Sequence, residues 1–299
     1  MKLADIRARK GKKKQYGIIK YIKNEEQNII DLHKSLVDKT FTTSKYNIFK
    51  ISDGKEREIY SLPYFPDRIL HHAIMAVLEP IFTSCFTTDT YSCIKGRGTH
   101  KASYKLREYL KKDELGTTYC LKLDIKKFYP SIDNEILKGL LRKKFKDRDL
   151  LNLLDNIIDS TKGVPIGSYT SQFFANYYLT YFDHWVKETL GIKYYLRYCD
   201  DMVILHQDKE QLWKWFNKIK EYLESNLKLV IKGNYQVFPV AVRGIDWCGY
   251  KHFHTHTLIR KSIKKKYIKN KNKITHKGWL IHADTKNLRN KYEHLNQNK

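Results

Sequence analysis

Residues 117–132, TTYCLKLDIKKFYPSI, and residues 193–206, KYYLRYCDDMVILH, decide the fold. In the first, Tyr119, Leu121, Leu123 and Ile125 alternate with Cys120, Lys122 and Asp124. That period of two predicts a half-buried strand with Asp124 near its end, on the face opposite the apolar residues. Pro130-Ser131 stops the extended run, and DNEILKGLLRKKF, from Asp133, reads as a helix. In the second, two strand-like runs, YYLRY and MVIL, flank Cys199-Asp200-Asp201. A turn there makes a hairpin whose tip carries two adjacent carboxylates. Asp is common in turns for its own sake, but these flanks are apolar and aromatic, which sets the carboxylates beside a core. Anions crowded at the rim of a buried sheet repel one another and need a cation.

If the two β elements pair, Asp124 converges on Asp200 and Asp201. Three hard oxygen ligands with no His or Cys beside them suit Mg²⁺, with Mn²⁺ as the alternative. Two such ions, roughly 3.5–4 Å apart, activate an attacking hydroxyl and stabilise a leaving pyrophosphate.

The rest of the composition agrees with that chemistry. The chain has 299 residues, with 57 Lys and Arg against 32 Asp and Glu, a formal charge of +25. Aromatic content of 13% and apolar content of 41% argue against disorder. A charge that large opposes compaction unless polyanions neutralise it, so nucleic acid is the expected partner. The five cysteines, Cys85, Cys93, Cys120, Cys199 and Cys248, form no C-x-x-C pair, which disfavours zinc ribbons and thioredoxin-like sites. The basic start, MKLADIRARKGKKKQYG, has no apolar stretch behind it, and no run is long enough to cross a bilayer. Reduced thiols in a cytoplasm and no membrane are the expectation.

Outward from the centre, helices are expected around residues 18–40. YNIFKISDGKEREIYSLP (46–63) reads as a hairpin turning at Asp53-Gly54. DRILHHAIMAVLEPIF reads as a helix with Asp67 as N-cap and Ile69, Ile74, Val77, Leu78 and Ile81 as its apolar stripe. Gly163–Gly167 is a bend, with Ser168 or Thr170 capping the helix that follows. Residues 209–226 form an amphipathic helix, residues 227–260 short strands, and the Lys-rich remainder from Ser262 carries a weak helical pattern of Leu288, Tyr292 and Leu295.

LDIKKFYPSI, GVPIGSYTSQ and RYCDD, in that order and with Asp200 76 residues after Asp124, resemble the palm motifs of reverse transcriptases. Residues 57–82 and YSCIKGRGTHKA (91–102) resemble the fingers segments of the group II intron and bacterial branch, and WCGY (247–250) the grip motif that holds the primer end. The resemblance covers roughly residues 46–255. It implies an α+β right-hand polymerase: an N-terminal extension and fingers over 1–115, a palm built on an antiparallel sheet over 116–255 with a fingers insertion about 135–165, and a short basic helical thumb over 256–299. It implies that Asp124, Asp200 and Asp201 bind two metal ions, with the backbone carbonyl of Ile125 completing the set. Tyr129 would be the gate that excludes a ribose 2′-hydroxyl. Lys50 and Arg57 would hold the incoming triphosphate, with Ile166, Gly167 and Gln172 lining the nucleotide site. Trp247, Cys248, Gly249 and Tyr250 would grip the nucleic acid, and Lys232 would stand near the pyrophosphate as a general acid.

Most bacterial relatives carry Gln-Gly and then Ser-Pro in the central motif, whereas this chain has Ile166-Gly167 and then Ser171-Gln172. That pattern is similar to the reverse transcriptases of diversity-generating retroelements. The branch implies copying of a template-repeat RNA into cDNA with errors opposite adenine, and a small basic accessory variability protein that assembles as a pentamer. It also implies a bacterial or phage setting. Retron and abortive-infection reverse transcriptases, an RNA-dependent RNA polymerase and a catalytically idle RNA-binding scaffold are the rival readings.

Overall fold

The structure, a computed structural model, describes residues 1–12, 14–52, 56–269 and 274–293. The chain divides into two compact units: Met1–Thr87 with Lys126–Asp183 and Tyr222–Val230, and Thr88–Ile125 with His184–Glu221 and Ile231–Lys299.

The first unit is mainly helical. The helices Tyr16–Ile22 and Glu25–Val37 fall where the sequence predicts. The helix Ile69–Cys85 buries Ile69, Leu70, Ile74, Met75, Leu78 and Phe82, and the Phe82 ring packs against Phe145, Phe173, Phe174 and Tyr177. Each such side chain removed from water contributes about 1.5–3 kcal/mol. Val77, expected in the stripe, is 67% exposed, because the buried face runs through Ile74, Leu78 and Phe82 instead. Asp67 is not the cap either. An irregular turn, Tyr64–Arg68, precedes the helix, and the buried Asp67 carboxylate accepts from the Ser44 amide at 2.9 Å. The next two helices, Asn134–Lys144 and Arg148–Asp159, do have side-chain caps, with Asp133 accepting from Ile136 N–H and Asp147 from Leu150 N–H.

Strands β1 (Asn47–Ser52) and β2 (Glu56–Ser61) form an antiparallel ribbon. The expected turn at Asp53-Gly54 lies outside the described residues. Ser52 pairs with Glu56.

His71 sits in this unit, buried on the Ile69–Cys85 helix, with its Nδ1 2.8 Å from Ser168 Oγ. Burial, then the neighbouring His72, holds it near pH 4, against an ordinary value of 6.5. Between about pH 6.5 and 4 the unfolded chain accepts a proton that the folded chain refuses. Stability from this group is therefore complete above 6.5 and lost as pH falls, by roughly 2–3 kcal/mol. Buried His252, held near 3, acts with the same sign. Melting curves from pH 8 to pH 5 should show falling Tm, with a visibly shallower slope in His71→Gln; identical slopes would remove the assignment.

The second unit is built on a five-stranded sheet in the order β3 (Thr90–Tyr91), β5 (Tyr194–Tyr198), β6 (Asp201–His206), β4 (Tyr119–Asp124), β7 (Gln236–Pro239). Only the β3–β5 pair is parallel. One face of this sheet, with Cys120, Leu205, Val203, Leu196 and Phe238, packs against Leu106 and Leu110 of the helix Thr99–Lys112. A three-stranded antiparallel sheet follows: β8 (Ile245–Trp247), β9 (Tyr250–His252) and β10 (Thr257–Ile259). Ile259, Tyr267 and Leu280 form a small separate core with Ile263 and Leu288 at its margin. Leu295 lies outside the described residues. None of the five cysteines is in a disulfide, and among the described residues no helix is long and apolar enough to cross a membrane.

Candidate active site

β4 changes character along its length. On one face Cys120 stands opposite Leu205, Lys122 opposite Val203 and Asp124 opposite Asp201, because cross-strand partners share a face and alternate residues repeat it. The face is apolar at one end and acidic at the other. Cys120 is therefore in the core, and only Lys122 and Asp124 of the expected solvent-side residues stay partly open.

The hairpin between β5 and β6 is tight. Tyr198 pairs with Asp201, so the turn is Cys199 and Asp200 alone. Such turns need a positive φ, which Cys199 supplies at 58° without being glycine. The wholly buried Arg197 donates from its guanidinium to the Cys199 carbonyl at 2.9 Å. The Ile125 amide donates to the Asp200 carbonyl at 3.2 Å. The tip is thus held from both sides, with Asp200 on the turn and Asp201 in the ladder beside Asp124.

The charges confirm the crowding. Asp200 is raised by burial and then by Asp124. Asp201 is pushed up to about 7, mainly by burial, with Asp124 and Asp200 adding to it and Lys122 opposing. Its Oδ1 is buried without a partner. Lys122 Nζ stands 3.5 Å from Asp201 Oδ2, and Lys232 Nζ 3.8 Å from Asp124 Oδ2. The Lys232 amide also donates to the Asp124 carbonyl at 2.8 Å. Among the described residues no three His, Cys, Asp or Glu side chains already stand at metal-holding spacing; two of these carboxylates lean on lysines instead. The donor set nevertheless fits a hard divalent cation, since burial and the neighbouring Asp124 disfavour the charged forms of Asp200 and Asp201 and one buried oxygen lacks a partner.

The hairpin of β8 and β9 turns on Cys248 (φ 49°) and Gly249 (φ 84°). The Trp247 and Tyr250 rings are fully buried, Trp247 in the sheet core. Of the four residues expected to grip nucleic acid, two therefore have buried rings, with Cys248 and Gly249 at the tip between them.

The remaining candidates lie in the first unit. Tyr129 is half-buried in the short helix Phe128–Ser131, and its carbonyl accepts from Val164 N–H at 3.0 Å. Ile166 is half-buried and Gly167 and Gln172 are exposed. The Ile166 carbonyl accepts from the Tyr60 amide at 2.8 Å, which hooks β2 onto the bend. Ser168 occupies the N-cap position of the helix Tyr169–Tyr178, but its hydroxyl is spent on His71 and Thr170. Lys50 and Arg57 are not brought together. Lys50 pairs with Glu58 and Arg57 with Ile51, on opposite faces of the ribbon, and Lys50 Nζ is 2.6 Å from Glu56. The Ser52–Glu56 register differs by one residue from the one a two-residue turn at Asp53-Gly54 would give, and one residue of shift reverses every face.

Alternation alone gives Lys122 as one more solvent-side position and Arg197 as part of an apolar strand; a cation two residues before Asp124 and another three before Asp200 are the signals the sequence offers for their roles.

The second unit's hairpin and sheet, with carboxylates meeting at one end, have the form of a polymerase palm. The chain's fold matches that of apo telomerase from Candida tropicalis, with a TM-score of 0.55 at 13% identity over 80% of this chain and 54% of that one. Telomerase from Candida albicans in complex with a fragment of telomeric RNA gives 0.53 at 12%, over 77% and 50%. These likenesses define the fold, a right-hand polymerase. The model of the family "Reverse transcriptase (RNA-dependent DNA polymerase)" matches residues 21–251, and the chain belongs to that family. Among its relatives, Protein YkfC of Escherichia coli is 24% identical over 67% of this chain and 50% of its own length. The group II intron-encoded protein LtrA of Lactococcus lactis is 25% identical over 54% and 28%. The nuclear intron maturase 1 of Arabidopsis thaliana is 28% identical over 36% and 15%. The chain spans half or less of the length of these relatives.

Proposed function

We propose that this chain is an RNA-directed DNA polymerase of a diversity-generating retroelement. The observation that carries the polymerase reading is the direct pairing of Asp124 with Asp201 beside the Asp200 tip. Asp124, Asp200 and Asp201, with the Ile125 carbonyl, would hold two Mg²⁺ ions (Mn²⁺ as the alternative). When bound, such ions lower the pKa of the attacking primer hydroxyl and neutralise the leaving pyrophosphate. The protein's own part is to hold the carboxylates before substrate arrives, through the Arg197 and Ile125 contacts on the tip, so that little reorganisation remains at the moment of reaction. Lys232, anchored on the Asp124 backbone, is the nearby cation for the pyrophosphate. Tyr129 would exclude the ribose 2′-hydroxyl. The positive charge binds template RNA and cDNA through phosphates, which makes binding steeply salt-dependent. An A-form hybrid is held by shape and backbone.

Fingers over 1–115, palm over 116–255 and thumb over 256–299 are the division this reading uses. Extension of a DNA primer on an RNA template tests it, with deoxynucleotides and ribonucleotides supplied separately. Deoxynucleotide incorporation that stops on chelation is the expected result, and ribonucleotide incorporation at equal rate would favour the RNA polymerase rival.

The retroelement branch rests on Ile166-Gly167 and Ser171-Gln172. An apolar branched side chain at 166 removes an amide that could hydrogen-bond, which relaxes geometric checking of the nascent pair. Ile166→Gln is therefore expected to lower misincorporation opposite template adenines by several-fold in sequenced cDNA; an unchanged error spectrum counts against it. A pentameric basic accessory protein and a bacterial or phage cytoplasm belong to the same reading.

A further inference from the structure

We propose that Lys122 is a positioning residue that ties the Asp201 carboxylate to the backbone of the β8–β9 hairpin, so that the metal-binding edge and the primer-gripping tip are set as one piece. This rests on the polymerase reading above. Lys122 has the register for it: it lies two residues before Asp124 on the same face of β4, in the row that ends with Asp201. Its Nζ donates to the Asp246 carbonyl at 2.6 Å and stands 3.5 Å from Asp201 Oδ2. Asp246 is itself fixed, because Arg260 Nε donates to its carboxylate at 2.6 Å. A continuous chain, Asp201–Lys122–Asp246–Arg260, therefore links the end of the acidic face to β8, one residue before the buried Trp247. Cys248, at the tip, lies close enough that the Asp201 charge adds to the burial that raises its thiol, while Arg260 and Lys122 oppose it.

An ammonium suits this place. It has donors for a carbonyl and a carboxylate at once, and its long stem spans between two β elements. A neutral side chain of the same length would leave the Asp246 carbonyl and the Asp201 carboxylate without their common partner. Each could then move on its own, and a displacement near 1 Å between a reacting end and its catalytic groups is costly.

The test compares Lys122→Met and Lys122→Arg with the unaltered chain. Lys122→Met is expected to lower kcat for single-nucleotide extension by about tenfold to a hundredfold, the loss of one charge-assisted link. Primer–template Kd, measured without divalent metal, should stay within about twofold, and Lys122→Arg should recover most of kcat. Hydrogen exchange of residues 245–252 in the metal-free protein should quicken in Lys122→Met and not in Lys122→Arg. Unchanged kcat in Lys122→Met, or equal losses of kcat, primer affinity and Tm with no recovery by arginine, would overturn the tie. If the unaltered chain extends no primer, the polymerase reading falls by itself. The exchange measurement then still decides whether Lys122 holds the hairpin.

Discussion

Asp200→Asn should abolish primer extension while leaving the chain folded and able to bind RNA. The expected loss is roughly 10³-fold or more, about 4 kcal/mol of transition-state stabilisation. The argument is one of shape and charge. Asn keeps the size of the side chain and the two-residue turn, and the contacts that hold the tip run through backbone carbonyls: Arg197 to Cys199 and Ile125 to Asp200. What is lost is a negative charge that burial and Asp124 already make costly in the metal-free protein. Folding should therefore be unharmed or slightly favoured, while cation binding fails. Extension rates, filter binding to the template and a melting curve on one preparation suffice. Full-rate extension by the variant would end the assignment of this carboxylate, and loss of fold would show that the tip depends on the charge.

Gly167→Ala should strongly destabilise the first unit. Gly167 has φ 123°, a conformation that side-chain-bearing residues rarely adopt. A Cβ there would sit 2.7 Å from the Tyr60 carbonyl oxygen and 3.2 Å from Ile59 Cγ2. The Tyr60 oxygen belongs to a strand whose amide is already bonded to Ile166, so it cannot retreat without breaking that link. A cost of about 2–4 kcal/mol is expected. It should appear as a lower Tm together with a raised KM for the incoming nucleotide, since β2 and the bend must separate. An unchanged Tm would mean that the ribbon yields freely.

What could be read in advance depended on the range of the interaction. Period-two alternation located β4, and the apolar runs around Cys199-Asp200-Asp201 located the hairpin, because both are patterns within a few residues. Pairing β4 with β6 required only that their apolar faces be buried together, and this set Asp124 opposite Asp201. Lys50 and Arg57 turned on the same kind of register: a two-residue turn at Asp53-Gly54 would set them opposite each other, whereas Lys50 pairs with Glu58 and Arg57 with Ile51. The burial of Trp247 and Tyr250 is not legible locally, because an aromatic near a turn serves a core as well as a ligand, and the other side of the core around Trp247 comes from the distant helix Thr99–Lys112. Lys122 on Asp246 and Gly167 against Tyr60 are contacts across more than a hundred residues, which no local pattern encodes.

The β1–β2 ribbon has a practical side. Ile48, Phe49 and Ile51 are all exposed, on both of its faces, and among the described residues β1 is paired only with β2. Bare aliphatic and aromatic groups along an open strand edge invite pairing between molecules. Material free of nucleic acid should therefore be prone to self-association through this ribbon, and concentrating it for crystallisation should go better with an oligonucleotide present throughout.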